Sequence, residues 1–261
     1  MSKRRIWGLV LRHLYNFRRN YDRMVDTFYW PSLDVLVWGL TIFALTRLGQ
    51  TSPVQIKAIV IAVLLWNIVW RSQSELAVSF LEELWSENIA NLLATPIRKV
   101  EMILGYFTLS LIKFCLSFTL TAVLAYALYQ VNVLGLGFYL PLFIISLMMF
   151  GWAAGFLTIS LFLRFGTTIQ TLAWAGIWVV MPFSAVYYSL SVLPDWVQQV
   201  SRFFPAAYVF EAMRSVLFTG STPLDGVLLS VGINLLLLSL SLVFFLQSFK
   251  VALKNGIGHL K

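Results

Sequence analysis

Long apolar runs separated by short polar segments dominate this chain. Six runs are long enough to cross a membrane as helices, and they lie at about 28–47, 56–79, 103–128, 138–163, 169–190 and 224–248. A helix needs about 20 residues to cross a hydrocarbon core roughly 30 Å thick, whereas the strands of a membrane barrel are about half as long and alternate in polarity. The pattern therefore predicts an all-α integral membrane protein with six transmembrane helices.

The composition excludes other classes of protein. Of the 261 residues, 59% are apolar and 11% are charged, while charged residues approach a quarter of an ordinary soluble domain. The chain has one cysteine, Cys115, and its two histidines, His13 and His259, lie in opposite tails. A disulfide within the chain and a histidine-based metal site are therefore not indicated. We expect this chain itself to bind no cofactor or metal.

The basic residues indicate the orientation, because Lys and Arg of multi-pass proteins concentrate in short cytoplasmic segments. They cluster in the first 23 residues, in the tail after residue 249, and at Arg98, Lys99 and Arg164. With six spans, we expect both termini and these loops to face the cytoplasm, at the inner membrane of a prokaryote. The net charge of +8 reflects this topology and does not indicate nucleic-acid binding, which needs a basic face on a soluble domain.

The first 26 residues have an amphipathic pattern. At about 100° per residue, the two sides of a helix carry Trp7, Val10, Leu11, Leu14, Phe17 and Tyr21 on one side and Arg5, Arg12, Asn16, Arg19 and Arg23 on the other. We therefore predict an interfacial helix in segment 1–26, with its aromatic side in the headgroup boundary and its arginines against anionic membrane lipid. The alternative is a retention signal with no further role.

Residues 80–101 interrupt the apolar pattern with charge. The segment contains Glu82, Glu83, Glu87, Arg98, Lys99 and Glu101. Glu83 and Glu87 are four residues apart, which predicts that they share one helical face, and the nearby apolar anchors are Leu81, Trp85, Leu92 and Leu93. Such a cytoplasmic helix can dock on a partner. The alternative is a solvated loop helix without one.

Residues 191–223 are broken by prolines at 194, 205 and 223, yet they are rich in aromatic residues. Non-helical backbone at membrane depth persists only where protein or a water-filled cavity satisfies it. We therefore predict an external re-entrant pair of short helices that borders a pathway. The spacing of Glu211 and Arg214 predicts an ion pair on one helical face. The alternative is an amphipathic lid on the outer leaflet.

Four ionisable residues lie within or at the ends of the predicted spans, and such groups mark a pathway or an internal pair. Arg71 and Glu75 are four residues apart, which predicts a mutual ion pair. Lys113 lies about ten residues into the third span. We expect it to pair with Asp34 across helices or to face a cavity between two copies of the chain.

The order of several short motifs resembles that of the type-2 ATP-binding-cassette (ABC-2) export permeases. The motifs are the run from Phe80 to Gly105 with Pro96-Ile97, Tyr29-Trp30-Pro31, Arg164-Phe165-Gly166, and Pro205 followed by Glu211 and Arg214. Phe204 stands before that proline, where the family often has Asn. The resemblance covers nearly the whole chain, and it implies one ABC-2 transmembrane domain over residues 1–261.

The resemblance implies a half-transporter, in which two permease copies rest on two copies of a separate ABC ATPase that holds ATP and magnesium. It implies that Glu82, Glu83, Glu87 and Arg98 are ATPase-coupling residues, and that Phe204, Pro205, Glu211 and Arg214 form an external gate. Independently, none of the 15 glycines is followed by Lys, so the sequence has no P-loop. The cargo is expected to be amphipathic or lipid-linked, which leaves a drug, a lipid and a glycan open.

Two other classes of function stay open from the residues alone. An integral membrane enzyme that acts on lipids needs converging carboxylates, a histidine or a metal at a membrane face. An ion-coupled carrier that works alone usually has internal repeats with interrupted helices. Neither pattern is found in the sequence, and the direction of transport rests on the family resemblance.

Overall fold

The computed structural model describes residues 1–50, 52–89, 91, 95–220 and 224–255. These residues are almost entirely helical and include no strand. The α-helices, numbered in chain order, are α1 (Lys3–Arg19), α2 (Tyr21–Arg47), α3 (Pro53–Trp85), α4 (Lys99–Tyr129), α5 (Tyr139–Phe165), α6 (Leu172–Ala175), α7 (Asp195–Ser201), α8 (Pro205–Thr219) and α9 (Leu224–Asn255). Short 3-10 helices connect several of them, at Val133–Leu136, Gly166–Ile169, Gly176–Val179, Met181–Phe183 and Leu190–Val192.

Five helices are long and apolar enough to cross a membrane, namely α2, α3, α4, α5 and α9. They correspond to five of the six predicted spans and support a multi-pass membrane protein. Helix α3 lies at the centre, because it packs against α2, α4, α5 and α8. Its closest neighbour is α5, where a Cβ added to Gly151 would lie 2.6 Å from Ser72 Cβ. Only glycine at this position lets the two backbones approach so closely.

The predicted span at 169–190 does not form a long α-helix. It belongs to a broken segment, residues 166–192, made of 3-10 turns and the short helix α6. Gly166 begins the segment with a left-handed φ of 67°, and Pro182 removes a backbone donor. The prediction of six transmembrane helices therefore matches five long helices, and a sixth crossing stays a prediction.

The broken segment follows the length of α3. The rings of Trp174 and Trp85 stack with their centroids 6.2 Å apart, and the ring of Trp178 lies 6.4 Å from that of Trp66. Since Trp66 and Trp85 are 19 residues apart on one helix, these contacts extend over about 28 Å of its axis. Packing against α3 and α5 therefore holds a backbone whose own hydrogen-bond pattern is irregular.

The amino-terminal helix α1 forms as expected, but it packs on protein. Leu9 and Val10 are buried, and α1 contacts α4 and α2. Of the predicted lipid-facing side, Trp7 and Tyr21 are largely exposed whereas Val10 is covered by protein. Part of the predicted lipid-facing side of α1 therefore contacts protein, because carboxylates on α3 and α4 fix the rotation of this helix.

The segment 191–223 contains two short helices, α7 and α8, which begin next to Pro194 and at Pro205. Residues 221–223, including Pro223, lie outside the described residues. Helix α8 is largely buried against α9, α5 and α3. Two short helices before the last long one thus agree with the prediction. Their re-entrant insertion into the membrane stays a prediction.

Candidate functional site

Glu82 and Glu83 occupy the last turn of α3 and face α1. The guanidinium of Arg12 binds the Glu83 carboxylate, and His13 Nε2 lies 3.3 Å from Glu83 Oε1. On the other side, Asn88 Nδ2 donates to Glu83 Oε2 over 2.9 Å. Glu83 is only 1% exposed, and a carboxylate so deeply buried is stable only when it is paired. Glu83 is therefore a joint between α1 and α3.

Glu82 joins α3 to the start of α2. Arg23 Nε donates to Glu82 Oε1 over 2.6 Å, and Arg23 Nη2 reaches the Val78 carbonyl at 3.4 Å. The chain turns between α1 and α2 at Asn20, whose side chain accepts the Arg23 backbone N–H. This turn places Arg12 and Arg23 on two sides of the end of α3.

Glu101, in the first turn of α4, holds the beginning of α1. Its two carboxylate oxygens accept backbone N–H groups of Ser2 and Arg98 over 2.7 and 2.9 Å. The Arg5 guanidinium lies 3.5 Å from Glu101 and donates to the Pro96 carbonyl over 2.6 Å. Glu82, Glu83 and Glu101, which we name the acidic cluster, thus fix α1 at both its middle and its amino end.

The four predicted coupling residues divide into two groups. Glu82 and Glu83 are engaged by α1 and α2, whereas Glu87 and Arg98 lie at the surface. Glu87 follows the end of α3 and has a left-handed φ of 53°, so the prediction that it shares a helical face with Glu83 is wrong. Segment 80–101 is also not one continuous helix, because α3 ends at Trp85 and α4 begins at Lys99, and residues 90 and 92–94 between them lie outside the described residues. Leu92 and Leu93 lie outside the described residues.

A groove of about 990 Å³ opens beside this cluster, between α1, α2 and the end of α3. Its lining mixes arginines, carboxylates and aromatic rings, and it includes Arg12, Arg19, Asp22, Asp26, Trp85 and Trp174. Such a surface is suited to a protein partner that carries both charges and apolar anchors. Among the described residues, no group of three His, Cys, Asp or Glu side chains could hold a metal ion.

A second charged network lies deeper, between α3 and its neighbours. Lys113 Nζ donates to Glu75 Oε1 over 2.7 Å, while Arg71 binds the Asp26 carboxylate over 2.9 Å. The predicted Arg71–Glu75 pair and Lys113–Asp34 pair are therefore both wrong. Helix packing brings closer partners from α2 and α4 to these groups, and Asp34 instead hydrogen-bonds Asn67. Lys113 is only 5% exposed in the single chain, and its predicted place in a pathway stays a prediction.

The predicted gate residues lie around α8. Glu211 and Arg214 form the expected ion pair, with 3.1 Å between Arg214 Nη2 and Glu211 Oε1. Glu211 also accepts the Leu190 backbone N–H over 2.8 Å, and Arg214 donates to the Ala185 carbonyl. The pair therefore holds the end of the broken segment against α8.

Pro205 and Phe204 begin α8 and tie it to other elements. Pro205 is the first residue of α8, and its carbonyl accepts from Ser230 Oγ of α9 over 2.8 Å. Phe204 precedes the helix, and its ring stacks on Phe183 with centroids 5.9 Å apart. Both residues hold the start of α8 against the broken segment and α9.

Comparison with known families assigns this architecture. The family model described as ABC-2 type transporter matches residues 4–218, from α1 to α8. The chain belongs to the ABC-2 type transporter family. A comparison with curated proteins gives no match. The ABC-2 assignment identifies a membrane subunit of a transporter and favours transport over the lipid-enzyme and lone-carrier alternatives.

As an ABC-2 permease, the chain is expected to associate with an ABC ATPase, because the family works with one. The structure adds Arg12, His13 and Arg23 to this region, and it gives Glu101 of segment 80–101 a contact with α1 that sequence reasoning did not predict. Their signal was the presence of opposite charges in segments 1–26 and 80–101. That signal was missed because lipid phosphate is an equally suitable partner for arginine.

Proposed function

We propose that this chain is the transmembrane permease subunit of an ATP-driven exporter, which works as a dimer on two copies of a separate ATPase. The ATPase supplies the ATP and magnesium site. The family match supports the permease role. The observation that carries the coupling proposal is the acidic cluster, which joins α1, α2, α3 and α4 beside an open groove.

The geometry gives the coupling residues different roles in this proposal. Exposed Glu87 and Arg98, with the groove beside them, meet the ATPase surface. Buried Glu83 does not touch the ATPase but joins α1 to α3. Closure of the ATPase subunits on ATP then moves α1 and the ends of α3 and α4 together. Such a rigid-body movement is how packed helices transmit a local push.

The proposed topology has both termini in the cytoplasm of a prokaryotic inner membrane. Five long helices alone would put the two termini on opposite sides. We therefore assign the broken segment as the sixth crossing, which its contacts along α3 support. Irregular backbone inside a membrane needs cover from protein, and α3 and α5 supply it.

The proposed pathway runs along the two-fold axis between two copies, lined by α2, α3 and the broken segment. Cargo leaves past α7 and α8, which act as the external re-entrant gate. Phe204, Pro205, Glu211 and Arg214 belong to this gate, because they hold α8 against the broken segment. The cargo is an amphipathic or lipid-linked molecule that arrives from the membrane.

The test is purification of the tagged chain from its own cells, followed by identification of co-purifying proteins and assay of ATP hydrolysis. We expect an ABC ATPase whose hydrolysis rises with the chain present. Glu87→Arg should abolish co-purification by reversing a surface charge. Asp195→Arg, on exposed α7, is the matched control and should leave it intact. Retention of the ATPase by Glu87→Arg, or the absence of any ATPase, contradicts the proposal.

A further inference from the structure

A cavity of about 600 Å³ lies between α5, α9 and the broken segment. Its walls are largely apolar, and the largest side chains are Phe150, Phe203, Phe204 and Phe244. None of its lining residues is charged. Pockets that bind drug-sized molecules measure about 300–1,000 Å³ and combine apolar walls with a few polar groups. The volume and the lining therefore suit one uncharged molecule of that size.

Gln73 of α3 supplies the polar group of this cavity. Its side chain is fully buried, and its Nε2 makes two long contacts of 3.4 Å, to Thr158 Oγ1 and the Leu172 carbonyl. Its Oε1 has no hydrogen-bond partner among the described residues. A buried acceptor without a partner is unfavourable, and a ligand that brings a donor relieves the penalty. The cavity thus presents one unused acceptor in an apolar surrounding.

The depth of Gln73 distinguishes between possible occupants. It lies six residues before residue 79, the predicted cytoplasmic end of this span, which is about 9 Å along the helix axis. The acyl chains of bilayer lipids carry no hydrogen-bond donor at such a depth, and their headgroups stay at the interface. An occupant that satisfies Oε1 must therefore carry a donor into the interior of the membrane.

We propose that this cavity binds the transported molecule, and that this molecule is a neutral, drug-sized amphiphile with a hydroxyl or amide N–H that donates to Gln73 Oε1. The inference rests on the proposed transport function and narrows its cargo. The apolar body lies along α5 and α9. The uncharged lining disfavours an ionic group, and the volume is too small for a glycan chain on a lipid carrier.

Photolabelling tests the site with a defined probe, dodecan-1-ol carrying a diazirine, and with the matching dodecane. The purified chain in phosphatidylcholine nanodiscs is labelled over a range of concentrations and the modified peptides are mapped. We expect saturable labelling of α5 and α9 by the alcohol. The probe concentration for half-maximal labelling should be about fivefold higher for dodecane, and also for the alcohol in Gln73→Leu, because each lacks one hydrogen bond.

Cavity-filling variants provide the control for location. Ala154→Trp and Leu240→Trp each place a large ring at the cavity and should abolish saturable labelling. Leu235→Trp adds the same ring on the opposite, exposed side of α9 and should leave it unchanged. Size-exclusion chromatography verifies the fold, and two filling variants keep the test valid if one misfolds. The inference is overturned if labelling survives both cavity-filling variants, if dodecane labels the chain equally well, or if no labelling is saturable.

This assay contains no ATPase, so its outcome is independent of the proposed function. If the chain stimulates an ATPase but no saturable labelling is found, the binding site is wrong and the transport proposal stands. If labelling is found but no ATPase is stimulated, the proposal that the bound molecule is cargo is overturned. Both results together support the inference in full.

Discussion

The two halves of the molecule, around the carboxyl and amino ends of α3, are held together by different interactions. Five of the six ion pairs between Arg or Lys and a carboxylate among the described residues lie toward the carboxyl end, and they join segments far apart in the chain. Toward the other end, Ser146, Ser230 and Asn234 form a neutral network between α5 and α9. The remaining ion pair, Glu211–Arg214, is local.

This difference indicates that the two halves have different mechanical roles. Charged pairs need defined geometry and are costly to break when buried. We therefore expect the pairs between α1, α2, α3 and α4 to make these helices move as one unit. By contrast, neutral hydrogen bonds and apolar packing hold α5, α8 and α9 together in the other half. The following changes test this division in order of expected effect.

The largest effect is expected for Lys113→Met, which leaves Glu75 buried without its partner. We expect a loss of about 3 kcal/mol in the free energy of unfolding, measured by SDS titration of the chain in mixed micelles. The double variant Lys113→Met/Glu75→Met should recover most of this loss, because it removes both charges. Equal instability of the single and double variants would show that the pair is not the cause.

A smaller effect is expected for Glu83→Gln, which weakens the joint between α1 and α3. The charge-assisted hydrogen bond from Arg12 is lost, at a cost of about 2 kcal/mol. We expect faster tryptic cleavage at the exposed Arg18 and Arg19 and reduced stimulation of the ATPase. Glu87→Gln, which keeps the joint, is the control for cleavage. Wild-type cleavage rates in Glu83→Gln would argue against the joint.

In the neutral half, Ser230→Ala removes the contacts of one hydroxyl with the Pro205 carbonyl and Ser146. We expect a loss of about 1 kcal/mol and no change in tryptic cleavage of α1, which lies in the other half. Ser239→Ala, at an exposed position of the same helix, is the control and should have little effect. A change in α1 cleavage would show that the halves are not separate.

The smallest effect on stability is expected for Glu211→Ala, because its pair with Arg214 is partly exposed. Such pairs contribute about 1 kcal/mol or less. The local effect is larger, since Glu211 accepts the Leu190 N–H. Hydrogen exchange at Leu190 should therefore accelerate while that of α9 stays unchanged. Unchanged exchange at Leu190 would contradict the role of the pair in holding the broken segment.

The sequence predicted those features that depend on local periodicity. Five of the six apolar runs form the long helices, and the three-residue spacing of Glu211 and Arg214 gives their ion pair. The broken segment was missed because its apolarity matches a span, while Gly166 with its positive φ and Pro182 disturb the helix locally. Apolarity determines where the chain is buried, but it does not determine the helical type.

Pairings between distant segments could not be predicted from spacing. The spacing predicted that Arg71 pairs with Glu75, four residues away, yet packing of α2 brings Asp26 to Arg71. In the same way, the rotation of α4 directs Lys113 to Glu75. The coupling role predicted for Glu82 and Glu83 stays a prediction, but spacing did not show that arginines of α1 and α2 contact them within the chain.

The central claim, that a separate ATPase contacts this chain beside the acidic cluster, is tested most directly by site-specific crosslinking. Single cysteines are placed at Glu87 or Asp195 in a Cys115→Ser background, and a thiol-reactive photocrosslinker is activated in native membranes. The account predicts a crosslink to an ABC ATPase from position 87 and none from position 195. An ATPase crosslink from position 195, or none from position 87, would contradict it.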